Sequence, residues 1–272
     1  MQTPSTISIL GCGWLGFPLA QSLVANNWNV LGSTTSPSKL ATLSQNGISP
    51  FLLQLGQFST DESSIPFFQS PYLIVNFPPR LRSSEGNGLE KQMNELDQRL
   101  SAGKCQKAIF ISSTSVYPDL NREVTEADAQ IDHPLVLAEN QFIQSCQRNQ
   151  IDYLIFRCGG IMGYDRYVGK YYAGKTYPSA AQVPINYVHQ KDIIAAINHV
   201  LSNKIWNKVY NLVAPLHPKR REAIEKSCEK YQLPLPEFSD TNQDESFKIV
   251  RGDAFIRDFS YTFLYPDPLT FP

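Results

Sequence analysis

The sequence predicts an α/β protein with a doubly wound parallel sheet, followed by a small C-terminal α+β lobe. Two observations predict this class. Short apolar runs alternate with segments of helical period through the first two-thirds of the 272 residues. A glycine-rich turn joins the first apolar run to the first helical segment. Strand–helix alternation at this spacing is typical of parallel sheets with helices on both faces.

The individual elements are predicted from their apolar period. Short apolar runs predict strands, and the run 72–77 is continuous, as in parallel strands buried on both faces. Leu89, Met93, Leu96 and Leu100 recur at helical spacing and predict a helix with one apolar stripe. The predicted strands are 7–10, 28–31, 51–55, 72–77, 107–112 and 153–157, and the predicted helices are 18–26, 38–45, 89–100 and 135–148.

Composition and charge exclude several classes of protein. The formal net charge is −1 and the sequence has no long basic run, which argues against nucleic acid or an anionic membrane as a partner. No stretch approaches the ~20 apolar residues that a membrane helix needs. The five cysteines are scattered and never form a CxxC pair, which argues against zinc and suits a reducing compartment. A cytoplasmic protein without a metal site is therefore expected.

The motif G-x-G-x-x-G is formed by Gly11, Gly13 and Gly16, directly after a predicted strand and before a predicted helix. The first glycine permits a tight turn, the second lets the backbone approach a pyrophosphate, and the third lets helix and strand pack closely. The helix N-terminus, with Trp14 and Leu15, offers N–H groups to the anion. The turn predicts a Rossmann-type dinucleotide site; an empty structural turn is the alternative.

The end of the second predicted strand bears on the choice between NAD and NADP. A fold that prefers NAD usually places Asp or Glu there, about 20 residues after the glycines, to hold the ribose 2′-hydroxyl. Residues 1–60 contain no acidic residue, and the position is held by Ser33, Thr34, Thr35 and Ser36 with Lys39 nearby. Hydroxyls and a lysine can receive a 2′-phosphate, so NADP is favoured over NAD. The alternative is a polar loop without a ligand.

A second loop and the C-terminal third complete the expected organisation. Pro78 follows the fourth strand at the cofactor edge, with Arg80 and Arg82 as further phosphate ligands or as exposed loop residues. Beyond residue 160, the sequence predicts a helix at 192–202, a strand at 209–213 and a helix at 220–231. We therefore expect a dinucleotide-binding domain at 1–160 and a smaller substrate-side lobe at 161–272, interleaved with the sheet.

The order of motifs resembles the extended and atypical short-chain dehydrogenases/reductases, the NAD-dependent epimerase/dehydratase group. The motifs occur in family order and at family-like spacing, and the Gly-Cys-Gly-Trp-Leu-Gly form is most similar to small members of the group. The matching segments are 11–16, 111–117, 157–163, 185–192 and 210–212. The resemblance implies a nicotinamide dinucleotide cofactor and a small-molecule or nucleotide-sugar substrate.

The same resemblance implies a catalytic hydroxyl but not the usual acid/base pair. Ser113 stands three residues before Val116, where the family keeps a catalytic Ser or Thr. Aligning Glu139 with the glutamate that follows the family's Tyr-x-x-x-Lys motif puts Leu135 in the lysine place and Ile131 in the tyrosine place. Neither side chain transfers a proton, so catalysis by the family mechanism is not expected.

Other groups are candidates for the missing proton donor, although each is also explained by packing or solvent exposure. His133 lies beside the altered pair, and histidine is the residue type most often used as a general acid or base. The further candidates are Tyr117, Tyr164 and Tyr167, and a second tyrosine–lysine spacing occurs at Tyr171 and Lys175.

Two functions remain open at this point. The first is an NADP(H)-dependent oxidoreductase or epimerase/dehydratase with altered acid/base residues. The second is a non-catalytic dinucleotide-binding sensor or interaction protein. A sheet that has also lost its cofactor site is disfavoured by the intact glycines.

Overall fold

A computed structural model describes residues 5–56, 65–77, 88–177, 181–238 and 245–272. The strands are β1 (Thr6–Leu10), β2 (Asn29–Thr34), β3 (Ser49–Leu52), β4 (Tyr72–Val75), β5 (Lys107–Ser113), β6 (Arg122–Val124), β7 (Asp152–Cys158), β8 (Gly160–Met162), β9 (Thr176–Tyr177), β10 (Tyr187–His189), β11 (Lys208–Leu212), β12 (Glu237–Phe238) and β13 (Lys248–Val250). The helices are α1 (Gly16–Ala25), α2 (Leu40–Gln45), α3 (Ile65–Phe68), α4 (Gly88–Ala102), α5 (Pro134–Arg148), α6 (Val168–Tyr172), α7 (Gln190–Leu201), α8 (Arg220–Lys230) and α9 (Asp253–Phe259).

The predicted fold class is confirmed by a seven-stranded parallel sheet in the order β11-β7-β5-β4-β1-β2-β3. Strand β1 pairs in parallel with β2 and with β4, and the order reverses direction across β1. This reversal is the topological switch point, outside which open α/β sheets bind their ligands. The turn after β1 is therefore where the sheet topology favours a site.

The strands around the switch point are buried on both faces, as their apolar runs predict. Ile7 and Ile9 of β1 are fully buried, and so is Ile74 of β4. The polar Ser8 is also buried in β1, and its hydroxyl donates to the carbonyl of Phe67 at 2.6 Å. Burying a hydroxyl is tolerated when it is hydrogen-bonded, so Ser8 does not interrupt the core.

The helices α4 and α5 pack against each other, with apolar stripes that follow the predicted spacing. Leu89, Met93, Leu96 and Leu100 of α4 are all buried. Helix α5 begins at Pro134, where a missing backbone N–H costs nothing, because the first N–H groups of a helix have no partner within it. No described helix is long and apolar enough to cross a membrane.

Contacts divide the chain into two compact units. Unit 1 comprises 1–112, 131–156 and 204–209, and it contains α1–α5 with β1–β4. Unit 2 comprises 113–130, 157–203 and 210–272, and it contains α6–α9 with three pairs of short strands. The core of unit 2 packs Val168 and Ile185 against Ile224 and Cys228 of α8. The functional division at residue 160 stays a prediction.

Several element boundaries differ from the sequence prediction. Strand β2 continues to Thr34, three residues beyond the predicted end, because Gly32–Thr34 keep their ladder partners in β3. Strand β3 is Ser49–Leu52 rather than 51–55, and the chain leaves the strand at Leu53. Both differences matter for function, since they determine which residues reach the edge of the sheet near the glycine turn.

Candidate functional site

The glycine turn between β1 and α1 needs glycine at its two ends for steric reasons. Gly11 has φ +108°, and a Cβ there would lie 2.5 Å from the carbonyl oxygen of Asn76. A Cβ at Gly16 would collide with the carbonyl oxygen of Gly11. Asn76 follows β4 and donates its side-chain amide to that same oxygen at 3.1 Å, which fixes the turn. Gly11 and Gly16 therefore shape the backbone.

Gly13 has a different role in the same turn. It is exposed, and a Cβ there would meet no atom of the described chain within 4 Å. Within the described residues, helix α1 has no side-chain cap and no acid in its first turn. Its partial positive charge is therefore not compensated there, which suits an anion. The space above Gly13 is where a pyrophosphate would fit.

Cys12 lies in the turn between Gly11 and Gly13, and its side chain is buried. Its sulfur would lie 2.8 Å from a Cβ at Gly32, so Gly32 makes room for it. Burial raises the pKa of the Cys12 thiol to about 12, so the thiol stays neutral. At the start of α1, Trp14 is half-buried and Leu15 is buried. These two residues would contact a ligand through their backbone N–H groups.

The hydroxyl residues at the end of β2 divide into bracing and exposed groups. Ser33 is buried, and its hydroxyl accepts the N–H of Gly11 at 2.9 Å. Thr34 is also buried and accepts the N–H of Ser36 at 3.1 Å. Thr35 and Lys39 are exposed. Ser33 thus links the end of β2 to the glycine turn, while Thr35 and Lys39 present groups to solvent.

These residues line one cleft of about 240 Å³ in unit 1. Six of the predicted cofactor-binding residues line this cleft: Gly11, Gly13, Ser33, Thr34, Thr35 and Lys39. Three others, Trp14, Leu15 and Gly16, continue the turn into α1. Pro78 lies outside the described residues. Ser36, also predicted at the end of the second strand, lines the cleft too. Further lining residues that the sequence did not single out are Leu10, Cys12, Leu53, Gln54, Leu55, Asn76, Phe77 and Gln92. Asn76 could have been found, because it directly follows β4 at the same edge of the sheet.

Ser113 lines a separate cleft of about 330 Å³ within unit 2. Its hydroxyl accepts the N–H of Ser115 at 3.1 Å and begins a short 3-10 helix. Lys248 also lines this cleft, donates to the carbonyl of Tyr117 at 2.6 Å and pairs with Asp119 at 3.1 Å. The cleft is mixed in character, with Asn186, Arg220, Tyr187 and Phe247 among its other walls.

Two aliphatic residues, Ile131 and Leu135, stand where the family has its catalytic tyrosine and lysine, and they differ in burial. Ile131 is 79% exposed, and Leu135 is 2% exposed in the first turn of α5. Glu139, one turn further on, is buried and accepts the hydroxyl of Ser112 at 2.5 Å. The helix start is therefore anchored by apolar packing and a buried hydrogen bond, with no proton donor at either place.

His133 has a local structural role at the start of α5. Its Nδ1 accepts the N–H of Leu135 at 3.2 Å and so caps the helix. An imidazole that accepts a backbone N–H at Nδ1 carries its proton on Nε2. A catalytic role for His133 stays a prediction.

Tyr117 is held in a buried polar network rather than in a cleft. Its hydroxyl donates to Oδ1 of Asn211 at 2.5 Å and accepts from Arg157 at 3.0 Å. Burial raises the pKa of Tyr117 to about 12. Arg157 also donates to the carbonyl of Glu126 at 2.9 Å, which joins three segments of unit 2. These contacts give Tyr117 a structural role, and a catalytic role for it stays a prediction.

The remaining tyrosine candidates lie elsewhere in unit 2. Tyr164 is about half exposed, and its hydrogen bond with Lys191 lowers its pKa. Tyr167 stacks on Tyr231 with ring centroids 3.8 Å apart. None of the three candidate tyrosines, Tyr117, Tyr164 and Tyr167, lines the Ser113 cleft.

The second tyrosine–lysine spacing does not recreate the catalytic pair either. Lys175 donates to the backbone carbonyl of Tyr171 at 2.8 Å, and neither residue lines the Ser113 cleft.

Solved structures with this architecture include nucleotide-sugar epimerases, a dehydratase and a short-chain dehydrogenase/reductase superfamily protein. A conserved protein of unknown function from Silicibacter pomeroyi superposes with a TM-score of 0.77 at 20% identity, over 97% of this chain and 95% of its own. The dTDP-glucose 4,6-dehydratase of Bacillus anthracis, solved with NAD, gives 0.74 at 14% identity, over 97% and 94%. The fold is that of the extended short-chain dehydrogenases/reductases, which confirms the predicted resemblance.

Sequence similarity then narrows this class. No protein-family profile matches the chain. Protein YeeZ of Escherichia coli K12 is 31% identical over 273 residues, covering 98% of both chains. The chain belongs to the family of YeeZ.

Proposed function

We propose that the chain binds NADP(H), with the pyrophosphate over Gly11–Gly16. The observation that carries this proposal is that the three glycines of the turn differ in their surroundings. Gly11 and Gly16 have no room for a side chain, whereas Gly13 faces open space beside an uncapped helix start. A turn that only connected strand and helix would not need glycine at position 13. The dehydratase with the same fold was solved with NAD, which supports a dinucleotide ligand for this fold.

The preference for the phosphorylated cofactor is part of the same proposal. The described lining of the cleft contains no Asp or Glu, while Thr35, Ser36 and Lys39 stand beside the end of β2. The 2′-phosphate of NADP is an anion, and a lysine with hydroxyl donors would stabilise it. The carboxylate that usually holds the 2′-hydroxyl of NAD would repel it.

The proposed activity is that of an oxidoreductase or an epimerase/dehydratase-like enzyme. The cofactor would supply hydride transfer, and the protein would bind and orient the substrate. Ser113 is the candidate hydroxyl for a substrate oxygen, and its cleft offers hydrogen-bonding groups, two cations and two aromatic rings. Those groups suit a small hydroxylated molecule or a nucleotide sugar. A cytoplasmic location stays a prediction.

A second candidate is a dinucleotide-binding protein without catalysis. The observation that favours it is the pair of aliphatic residues in the dyad places, with Leu135 buried and Ile131 pointing to solvent. General acid–base catalysis typically contributes about 10² to 10⁴ in rate, so its loss alone would leave weak turnover. Such a protein would keep cofactor binding and lose the reaction.

Cofactor binding is tested by placing a charge at Gly13. Because a Cβ there meets no described atom within 4 Å, the Gly13→Asp variant should fold as the wild type does. Its carboxylate should repel the pyrophosphate, and Gly13→Asn is the matched control of equal size without charge. Wild-type protein at 100 times the NADPH dissociation constant should be stabilised by about 2.7 kcal/mol in a thermal melt. Equal NADPH affinity in the Asp and Asn variants would refute this placement.

The cofactor preference is tested at Thr34, whose hydroxyl accepts the N–H of Ser36. An aspartate at this position can accept the same bond, so Thr34→Asp should keep the turn while adding a carboxylate. We expect weaker NADPH binding and unchanged or improved NADH binding, with Thr34→Asn as the neutral control. Equal losses for both nucleotides would contradict the preference for NADP.

Turnover separates the two candidate functions. NADPH oxidation is measured with a panel of carbonyl compounds. Conversion of nucleotide sugars is measured as product formed in the presence of NADP⁺, because epimerisation and dehydration regenerate the cofactor and consume none. Both assays are run for the wild type and for Ser113→Ala. Activity that falls in Ser113→Ala while NADPH affinity is retained supports the enzyme. Tight NADPH binding without turnover on any panel supports the non-catalytic protein.

A further inference from the structure

Gln92 of α4 is a buried polar side chain that faces the cofactor cleft. The residue is 7% exposed, and its Oε1 accepts no hydrogen bond from any residue in the described part of the chain. Gln92 lines the same cleft as the glycine turn, together with Leu53, Gln54 and Leu55. A buried carbonyl oxygen without a donor is costly, so its presence in a binding cleft points to a donor on the ligand.

The backbone around Gln92 is fixed by contacts between α4 and the turn after β3. Glu95, one turn further along α4, is buried and accepts the N–H of Gly56 at 2.8 Å. Gly56 has φ +89°, and a Cβ there would lie 3.3 Å from Cγ of Gln92. Arg99 pairs with Glu95 at 3.4 Å on the same helix. Gln92 therefore approaches the cleft from a rigid element.

The position of Gln92 along the sheet indicates which part of a dinucleotide it would meet. The proposed pyrophosphate site follows β1, and the proposed ribose site follows β2. Strand β3 lies next to β2 at the edge of the sheet, so the base would lie near the residues that follow β3. Leu53 and Leu55 follow β3 and offer apolar surface to a planar ring, with Gln92 beside them.

We infer that Gln92 determines base specificity, its Oε1 accepting a hydrogen bond from the 6-amino group of adenine. This inference rests on the proposed dinucleotide function and extends it to a residue that recognises the base. An acceptor at this point favours a 6-amino purine over a 6-oxo purine, because the 6-oxo group is also an acceptor. NADPH should therefore bind more tightly than its hypoxanthine analogue.

The test measures the affinities of NADPH and reduced nicotinamide hypoxanthine dinucleotide phosphate for the full chain. One lost hydrogen bond that leaves a buried partner unpaired predicts about tenfold tighter binding of NADPH to the wild type. Gln92→Met has similar size and no amide, so it should bind both nucleotides within about twofold. Gln92→Glu keeps an acceptor and should retain the preference. Gln98→Met is the matched control, because Gln98 is an exposed glutamine on the same helix.

The outcomes separate this inference from the proposed function. Absence of binding by either nucleotide to the wild type would overturn both. Tight binding of both nucleotides with equal affinity would overturn the role of Gln92 and leave the function intact. A preference for hypoxanthine would show that a donor faces the base.

Discussion

The glycine-turn cleft of unit 1, which is the proposed cofactor site, and the Ser113 cleft of unit 2 are built in different ways. The first is shaped by backbone, with Gly11 and Gly16 required by steric contacts and Ser33 bracing the turn. The second is shaped by side chains from distant segments, such as Lys248, which reaches the carbonyl of Tyr117 from 131 residues away. Its support is a network of Tyr117, Asn211 and Arg157.

This difference explains why the two clefts leave such different traces in the sequence. A backbone turn of this shape admits few residue types at a few adjacent positions, so it can be recognised in the sequence as a short motif. A side-chain cleft can be built from many combinations of residues, and its members are scattered along the chain. A dinucleotide site is therefore predictable from one sequence, whereas a substrate site is not.

The largest expected effect is the loss of stability when a side chain is added in the glycine turn of the unit 1 cleft. Gly11→Ala places a Cβ at φ +108° and 2.5 Å from the carbonyl oxygen of Asn76. Backbone strain of this kind costs about 1–3 kcal/mol, and the contact with a carbonyl adds to it. We expect the nucleotide-free melting temperature to fall by about 6–12 °C, as a loss of about 3 kcal/mol implies for a domain of this size.

Gly13→Ala is the control in the same turn. Its Cβ meets no described atom within 4 Å, so its melting temperature should stay close to that of the wild type. Equal melting temperatures for Gly11→Ala and Gly13→Ala would show that the turn is not fixed by steric contacts.

The second prediction concerns the pH dependence of unit 2. His189 is buried, and its Nδ1 accepts the N–H of Lys191 at the start of α7. Burial, with the Lys191 charge as a smaller contribution, lowers the pKa of His189 from 6.5 to about 4. Between these values the unfolded chain binds the proton and the folded chain does not. Stability should therefore fall as the pH drops from 6.5 to 4, by up to about 3 kcal/mol.

His189→Asn isolates this contribution. Asparagine can accept the same N–H as a helix cap but does not titrate. Denaturant unfolding at several pH values between 4 and 7 should therefore show a shallower slope in this variant than in the wild type. Some slope should remain, because burial also lowers the pKa of His217. Parallel pH profiles of the two proteins would contradict the assignment.

The third prediction tests the polar network that supports the Ser113 cleft. Tyr117→Phe removes the hydroxyl that donates to Asn211 and accepts from Arg157. Leaving buried groups unpaired should cost about 1–3 kcal/mol in the free energy of unfolding. NADPH affinity should not change, because no residue of this network lines the cofactor cleft. A loss of NADPH affinity at unchanged stability would mean that Tyr117 contacts the ligand.

The fold was predictable from sequence where strands are long and buried. Strands β1, β4, β5 and β7 were located to within two residues at each end, because apolar residues dominate each of them. The short strands of unit 2 were missed, since two or three residues show no period. Their partners are also far away: Lys248–Val250 pairs with Arg122–Val124.

The candidate site was predictable only in part, for a related reason. Sequence placed the serine and threonine hydroxyls at the end of β2 but gave no means to see that Ser33 accepts the N–H of Gly11. Gln92 was missed because nothing in the sequence distinguishes it from the other polar residues of the amphipathic helix α4. Periodicity indicates which side of an element a residue occupies, and it does not indicate what the residue contacts.

The smallest expected effect concerns the place of the missing catalytic tyrosine. Ile131 is 79% exposed, so Ile131→Tyr should change the free energy of unfolding by less than about 0.5 kcal/mol. Turnover should not rise, because the lysine that would lower the phenol's pKa is absent and Leu135 is buried in its place. NADPH oxidation on the carbonyl panel and product formation on the nucleotide-sugar panel check this, with Ile131→Phe as the matched control without a hydroxyl. A rise of tenfold or more in the tyrosine variant alone would show that the protein lacks only a proton donor. The chain would then be an enzyme of the family mechanism that has lost one group, rather than a protein whose acid/base chemistry lies elsewhere or is absent.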